Sequence, residues 1–233
     1  MRPIPAAGLL LLALSGPARA EAKLPVVVEL YTSQGCSSCP DADAMLADLA
    51  AMDGVIALAL HVDYWDYIGW PDSFASPLHS ARQEAYARMA GERMVYTPQI
   101  IVGGQDRVVG GDAMAVLEKL HAHADATTPV DLSVAREGER LRVTAPPLTL
   151  SRPLEIQLVR FLPREEVAIT SGENAGMTMT YHNIVTSWEV VGAWTGTGAL
   201  DLDLPLDGEG DGRVAVLLQE PGPGAIRAAA LVP

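Results

Sequence analysis

Val28-Glu29-Leu30-Tyr31-Thr32-Ser33-Gln34-Gly35-Cys36-Ser37-Ser38-Cys39-Pro40 passes from an apolar run, through a short polar loop, into a C-x-x-C followed by proline. From Val26 to Tyr31 the chain is largely β-branched or apolar without alternation, as in a strand buried on both faces. Asp41 to Met52 then repeats apolar residues at Ala42, Met45, Leu46, Leu49 and Met52, a helical spacing that Gly54 stops. The cysteines are the chain's only 2 and stand in a strand-to-helix loop.

Three readings of the pair compete. As a staple it is weak, because closing so short a loop is worth only about 2 kcal/mol, against ~3 for fifteen residues. As half of a zinc site it lacks a second ligand pair, since the 5 histidines form no H-x₃₋₅-H. As a redox pair it has what the chemistry requires. Free amide groups and the positive dipole end at a helix start stabilise a thiolate, lowering its pKa to roughly 3.5–7.5 from ~8.5. Cys36 would then attack, and Cys39, one turn on, would resolve the mixed disulfide. The redox reading is favoured, with a reversible Cys36–Cys39 disulfide as its working group and no other cofactor. Its partners would be protein or peptide thiols and disulfides, and an unidentified redox partner. Two alternatives stay open: a copper or other soft-metal carrier using Cys36, Cys39 and His61, and a binding module whose cysteines stay oxidised.

Outward from the motif, the pattern alternates. Val55 to His61 is a second apolar strand, and Pro77 to Gly91 reads as a helix, with proline suited to its first turn and glycine to its end. Gln99–Val102, the turn from Gly103 to Asp106, and Arg107–Val109 read as a hairpin, after which Asp112 can cap a last helix. The order is β-α-β-α-β-β-α over residues 24–125. Beyond Asp125-Ala126-Thr127-Thr128-Pro129 the helical period vanishes. Alternation at Val130, Leu132 and Val134, at Leu154, Ile156 and Leu158, and in later segments predicts roughly seven strands and a β-sandwich over 130–233. The expected fold is an α/β domain followed by an all-β one.

Residues 1–20 carry Arg2, the apolar stretch Ala6–Leu14 and Ala18-Arg19-Ala20, the pattern of a cleaved secretory signal, so a periplasmic or secreted location is expected. The chain holds 29 acidic and 16 basic residues, net −13. Losing Arg2 and Arg19 would leave 14 basic against the same 29, or −15. That balance argues against nucleic acid and anionic membrane surfaces as partners. No apolar run reaches the ~18–20 residues of a bilayer-spanning helix, so no membrane insertion is expected after cleavage.

The strand, the C-x-x-C at a helix start and the later Thr97-Pro98 before a hairpin and closing helix resemble the thioredoxin fold. The long cysteine motif, with Tyr96-Thr97-Pro98-Gln99 and Tyr181-His182-Asn183, resembles an uncharacterised family of bacterial secreted thioredoxin-like proteins, a domain of unknown function. The resemblance implies that Pro98 is a cis-proline beside the cysteines and that Thr97 offers backbone groups to an extended substrate. It also aligns Glu29, shifted by one residue, with the buried acid of thioredoxins. A carboxylate within an apolar strand should have a raised pKa and could exchange protons with Cys39, the alternative being a solvated edge position. Tyr64 to Phe74 holds five of the twelve aromatic residues, Trp65 and Trp70 among them. It is expected either to form a substrate wall beside the dithiol or to pack beneath the β-domain. Ser171–Gly176 and Tyr181–Asn183 could reach toward the dithiol or serve as scaffold, and the scaffold reading is favoured.

Overall fold

β1 (Val26–Thr32) is buried along its whole length and lies between two neighbours. It pairs in parallel with β2 (Val55–His61) and antiparallel with β3 (Gln99–Val102). β3 turns through Gly103 and Gly104, at φ 61° and 69°, into β4 (Asp106–Val109). Two consecutive left-handed positions match the twist of a tight hairpin and favour glycine at both. The computed structural model describes residues 25–125, 130–206 and 212–233. The expected signal segment and the 126–129 linker lie outside the described residues.

Alternation along β1 divides two cores. Val26, Val28 and Leu30 face α1 (Pro40–Ala50) and α3 (Ala113–Asp125), meeting Leu46, Leu49, Val116 and Leu120. Val27 and Tyr31 face the other way, toward Tyr86 of α2 (Pro77–Met89) and toward Val159, Phe161 and Leu217 from the second half of the chain. The helix ends follow the sequence signals. Ser76 accepts from the Leu78 amide in front of Pro77, Gly91 adopts φ 74° after α2, and Asp112 accepts from the Ala115 amide at the start of α3.

The second half supplies β5 (Ser133–Glu137), β6 (Arg140–Ala145), β7 (Leu154–Ala168), β8 (Thr178–Trp194), β9 (Leu200–Pro205), β10 (Arg213–Gln219) and β11 (Ile226–Leu231). Only β5, β6 and β9 form a separate small sheet. It packs through Leu141, Val143 and Leu200 on Leu154, Ile156, Val216 and Leu218 of the large one. The large sheet has the order β11-β10-β7-β8-β2-β1-β3-β4 and crosses the boundary expected between domains. β8 joins β2 in parallel, at Ala59 and Ile184, while Asn183 at φ 48° donates its side-chain amide to the Ala57 carbonyl. The architecture is thus mixed α/β, with one eight-stranded sheet and a second, three-stranded sheet.

Candidate functional site

The cysteine loop opens from the C-terminal end of β1. Cys36 and Cys39 form a disulfide with their Cα atoms 5.4 Å apart. Cys39 is the residue preceding α1, Pro40 is the first helical position, and the Asp43 amide donates to the Cys39 carbonyl. The helix therefore starts at the second cysteine, and the Cys39 amide folds back onto the Cys36 carbonyl at 3.2 Å. Cys36 Sγ also lies 3.4 Å from the Ser38 hydroxyl, a donor suited to a thiolate.

The Thr97–Pro98 peptide is cis. The last paired residues of β1 and β3 are Tyr31 and Gln99, so Pro98 lies one step further, alongside the end of β1 from which the cysteine loop departs. Three contacts fix this turn. Trp65 Nε1 donates to Thr97 Oγ1 at 2.7 Å, Gln83 donates to the Tyr96 carbonyl, and the Gly110 amide donates to the Pro98 carbonyl. A Cβ on Gly110 would stand 2.6 Å from Pro98 Cβ, so that approach requires glycine.

The aromatic stretch touches both the cysteine loop and the second half of the chain. Trp70 Nε1 donates to Gln34 Oε1 inside the cysteine loop, and Ile68 would lie 3.3 Å from a Cβ on Gly35. Trp70 and Phe74 also pack on Ile169, Met179, Tyr181 and Ile184 from the second half.

Glu29 is fully buried, but on the face opposite α1, because strand alternation places it with Val27 and Tyr31. Its carboxylate accepts from Arg82 Nε and Nη2 at 2.7 and 2.8 Å, from Tyr86 at 2.7 Å and from Tyr31 at 2.9 Å. Burial alone would lower the pKa of Arg82, but the Glu29 carboxylate outweighs it and holds the guanidinium firmly charged. This corrects the expected proton traffic with Cys39: Glu29 is a structural ion-pair partner across the sheet from the helix that carries the cysteine.

The acid on the cysteine side is Asp43, one helical turn after Cys39. It is 4% exposed, and neither carboxylate oxygen makes a hydrogen bond. Burial raises its pKa to about 7. The His61 ring pulls the other way, as does the Thr32 hydroxyl, which is close but outside hydrogen-bond geometry. Thr32 Oγ1, His61 Nε2 and the Tyr181 hydroxyl are likewise buried without a partner. Burial, together with the Asp43 and Asp72 carboxylates, holds Tyr181 well above the usual phenol range. Four orphaned polar groups thus gather around one buried point at the ends of β1 and β2. Their sequence signal is faint: Asp43 stands three residues before Leu46, on the apolar stripe of α1.

His61 Nδ1 is 2.7 Å from Asp72 Oδ2, which also accepts from the Gln34 amide. The ring packs edge-on against Phe74 and Tyr181. The two sulfurs are bonded to each other, while His61 keeps Nε2 unpartnered behind the Nδ1 contact to Asp72. Among the described residues no group of three or more His, Cys, Asp or Glu could hold a metal ion. No helix among them is long and apolar enough to cross a membrane.

The family described as "Protein of unknown function (DUF1223)" matches residues 27–219. The crystal structure of a protein from Agrobacterium tumefaciens is similar at 32% identity and TM-score 0.79, over 91% of this chain and 95% of that one. HBP35 of Porphyromonas gingivalis shares the fold at 16% identity and TM-score 0.63, over 91% of this chain and 76% of its own. No curated protein matches.

Proposed function

The chain belongs to the DUF1223 family, whose description names no activity, and we propose from its own residues that it is a thiol–disulfide oxidoreductase. The observation that carries this reading is the Cys36–Cys39 disulfide at the start of α1, on the strand end next to the cis Thr97–Pro98 turn. A three-residue separation makes a poor staple but an effective exchange pair, since the second sulfur is always within reach of the first.

In the reduced protein the Cys36 thiolate, hydrogen-bonded by Ser38, attacks one sulfur of a substrate disulfide. A Cys36–substrate disulfide forms, and the other substrate sulfur leaves as a thiolate that takes a proton from water. Cys39 passes its proton to the Asp43 carboxylate and attacks Cys36 Sγ. The mixed disulfide breaks, the second substrate thiolate departs, and the Cys36–Cys39 disulfide remains. Two electrons have moved from the dithiol to the substrate; a dithiol donor reverses the steps. An acid near pKa 7 suits this transfer, being neither fully ionised nor fully protonated at neutral pH.

The strand–helix order through α3, the cysteine position and the cis-proline support a thioredoxin-like first unit over 24–125. The three-stranded sheet packed on β7 and β10 supports a sandwich-like unit over 130–233. Thr97, Pro98, Trp65 and Trp70 form the edge at which a protein or peptide substrate is read. The pattern of residues 1–20 supports export to an oxidising compartment, where such a pair has work to do.

The test uses Cys36→Ser and Cys39→Ser variants incubated with oxidised glutathione. Cys39→Ser should accumulate a stable mixed disulfide on Cys36, and Cys36→Ser should not turn over. Wild-type exchange in both variants would refute the assignment.

A further inference from the structure

The loop joining β7 to β8 is exposed from Thr170 to Thr178, with one exception. Asn174 is 5% exposed and reaches across to the cysteine loop, where its Nδ2 donates to the Gln34 carbonyl at 2.9 Å and to the Cys36 carbonyl at 3.1 Å. Two carbonyl acceptors fix the amide orientation, because only the NH₂ end can serve both. The tip is tethered beside it: Ser171 Oγ donates to the Gly69 carbonyl, and a Cβ on Gly172, at φ +79°, would come within 3.0 Å of Trp70 Cβ. Trp70 in turn holds Gln34.

Under this cover Cys36 is 2% exposed and Cys39 fully buried, although Ser37 and Ser38 between them are exposed. Exchange requires an incoming sulfur to reach one of the bonded sulfurs, so access limits its rate. A sulfur as enclosed as Cys36 cannot be attacked until something withdraws. The loop tip is the element best suited to do so, since its exposed residues bury little apolar surface and segments held mainly by a few polar contacts open at low cost.

We propose that Asn174 is the gate of the dithiol: seated, it closes Cys36 to a partner; withdrawn, it frees both the sulfur and the carbonyls of Gln34 and Cys36. The gate rests on the thiol-exchange reading above and sets which partners that chemistry can use. Its side-chain amide occupies the two carbonyls that an extended polypeptide could take with its own N–H groups, so the partner that fits is a cysteine-bearing polypeptide that displaces the tip.

The experiment follows reduction of the oxidised full-length protein by dithiothreitol, with alkylation of released thiols, alongside the rate of global unfolding under the same conditions. Removing both hydrogen bonds in Asn174→Ala should speed reduction about 5–30-fold, the factor that 1–2 kcal/mol of lost closure represents. Gly172→Ala, which keeps Asn174 but pushes the tip off Trp70, should also speed it and serves if Asn174→Ala does not fold. In each case reduction must outrun global unfolding. Equal rates in wild type and the folded variants, with the disulfide still reducible, would overturn the gate and leave the exchange reading intact. Folded proteins that resist reduction in every form would overturn both.

Discussion

Replacing Asp43 with asparagine keeps the shape of the side chain and removes a buried charge that has no hydrogen-bond partner. The wild-type carboxyl has a pKa of about 7 when folded, against 3.8 for the ordinary group. The native state therefore binds a proton that the unfolded chain has already lost over that interval, so this group makes stability fall as pH rises from about 4 to 7. At 1.36 kcal/mol per pKa unit, the penalty is on the order of 2 kcal/mol at about pH 5.5 and 4 kcal/mol above about pH 8. Asp43→Asn should abolish it. Urea denaturation of the oxidised proteins should give a variant more stable than wild type at pH 8, with the gap closing toward pH 4. The same variant should resolve mixed disulfides more slowly, because the acceptor for the Cys39 proton is gone. Parallel pH profiles, or a variant less stable than wild type at pH 8, would show that Asp43 is not a buried, unpaired acid and would remove it from the proton path.

Three further substitutions probe the supports of the site. Gly110→Ala places a methyl 2.6 Å from Pro98 Cβ; it should cost about 1–3 kcal/mol in denaturant melts and slow exchange by displacing the Thr97–Pro98 turn. Arg82→Met strands the Glu29 carboxylate in the core and should cost about 3–5 kcal/mol, with Glu29→Gln in the same chain recovering much of it. Ser38→Ala removes the hydroxyl 3.4 Å from Cys36 Sγ. It should raise the thiol pKa of Cys36 by about one unit in alkylation-rate titrations, the equivalent of one charge-assisted hydrogen bond of ~1.5 kcal/mol.

Local signals carried the first half of the fold. An apolar run interrupted only by Glu29 gave β1, a 3.6-residue period gave α1, and paired glycines gave the β3–β4 turn, each within a window of a dozen residues. The strands of the second half from β5 to β10 were legible one by one for the same reason, whereas β11, rich in alanine, was not. Their partners were not, since alternation says which residues share a face but not which sheet receives them. The single parallel pairing of Ala59 with Ile184 spans more than half the chain and leaves no periodic trace. At the site, the cysteines announced themselves through spacing and loop position. Glu29 was legible as a buried acid, but its face depends on counting from Tyr31 and Thr32 together with knowing which side α1 covers. Asp43 was hidden, and Asn174 was visible only as one residue of a stretch that could reach the dithiol, for different reasons. The first is an acid in a helix otherwise suited to acids at its first turn, and the second owes its role entirely to a contact across 138 residues of sequence.

The central claim is that the Cys36–Cys39 bond is a working redox couple rather than a permanent link. Its reduction potential, read by equilibrating the folded protein in graded glutathione and dithiothreitol buffers and counting free thiols by mass, tests that claim directly. A value between about −270 and −120 mV, the span of disulfide oxidoreductases, is the expected result. A value below about −300 mV, where structural disulfides lie, would contradict it.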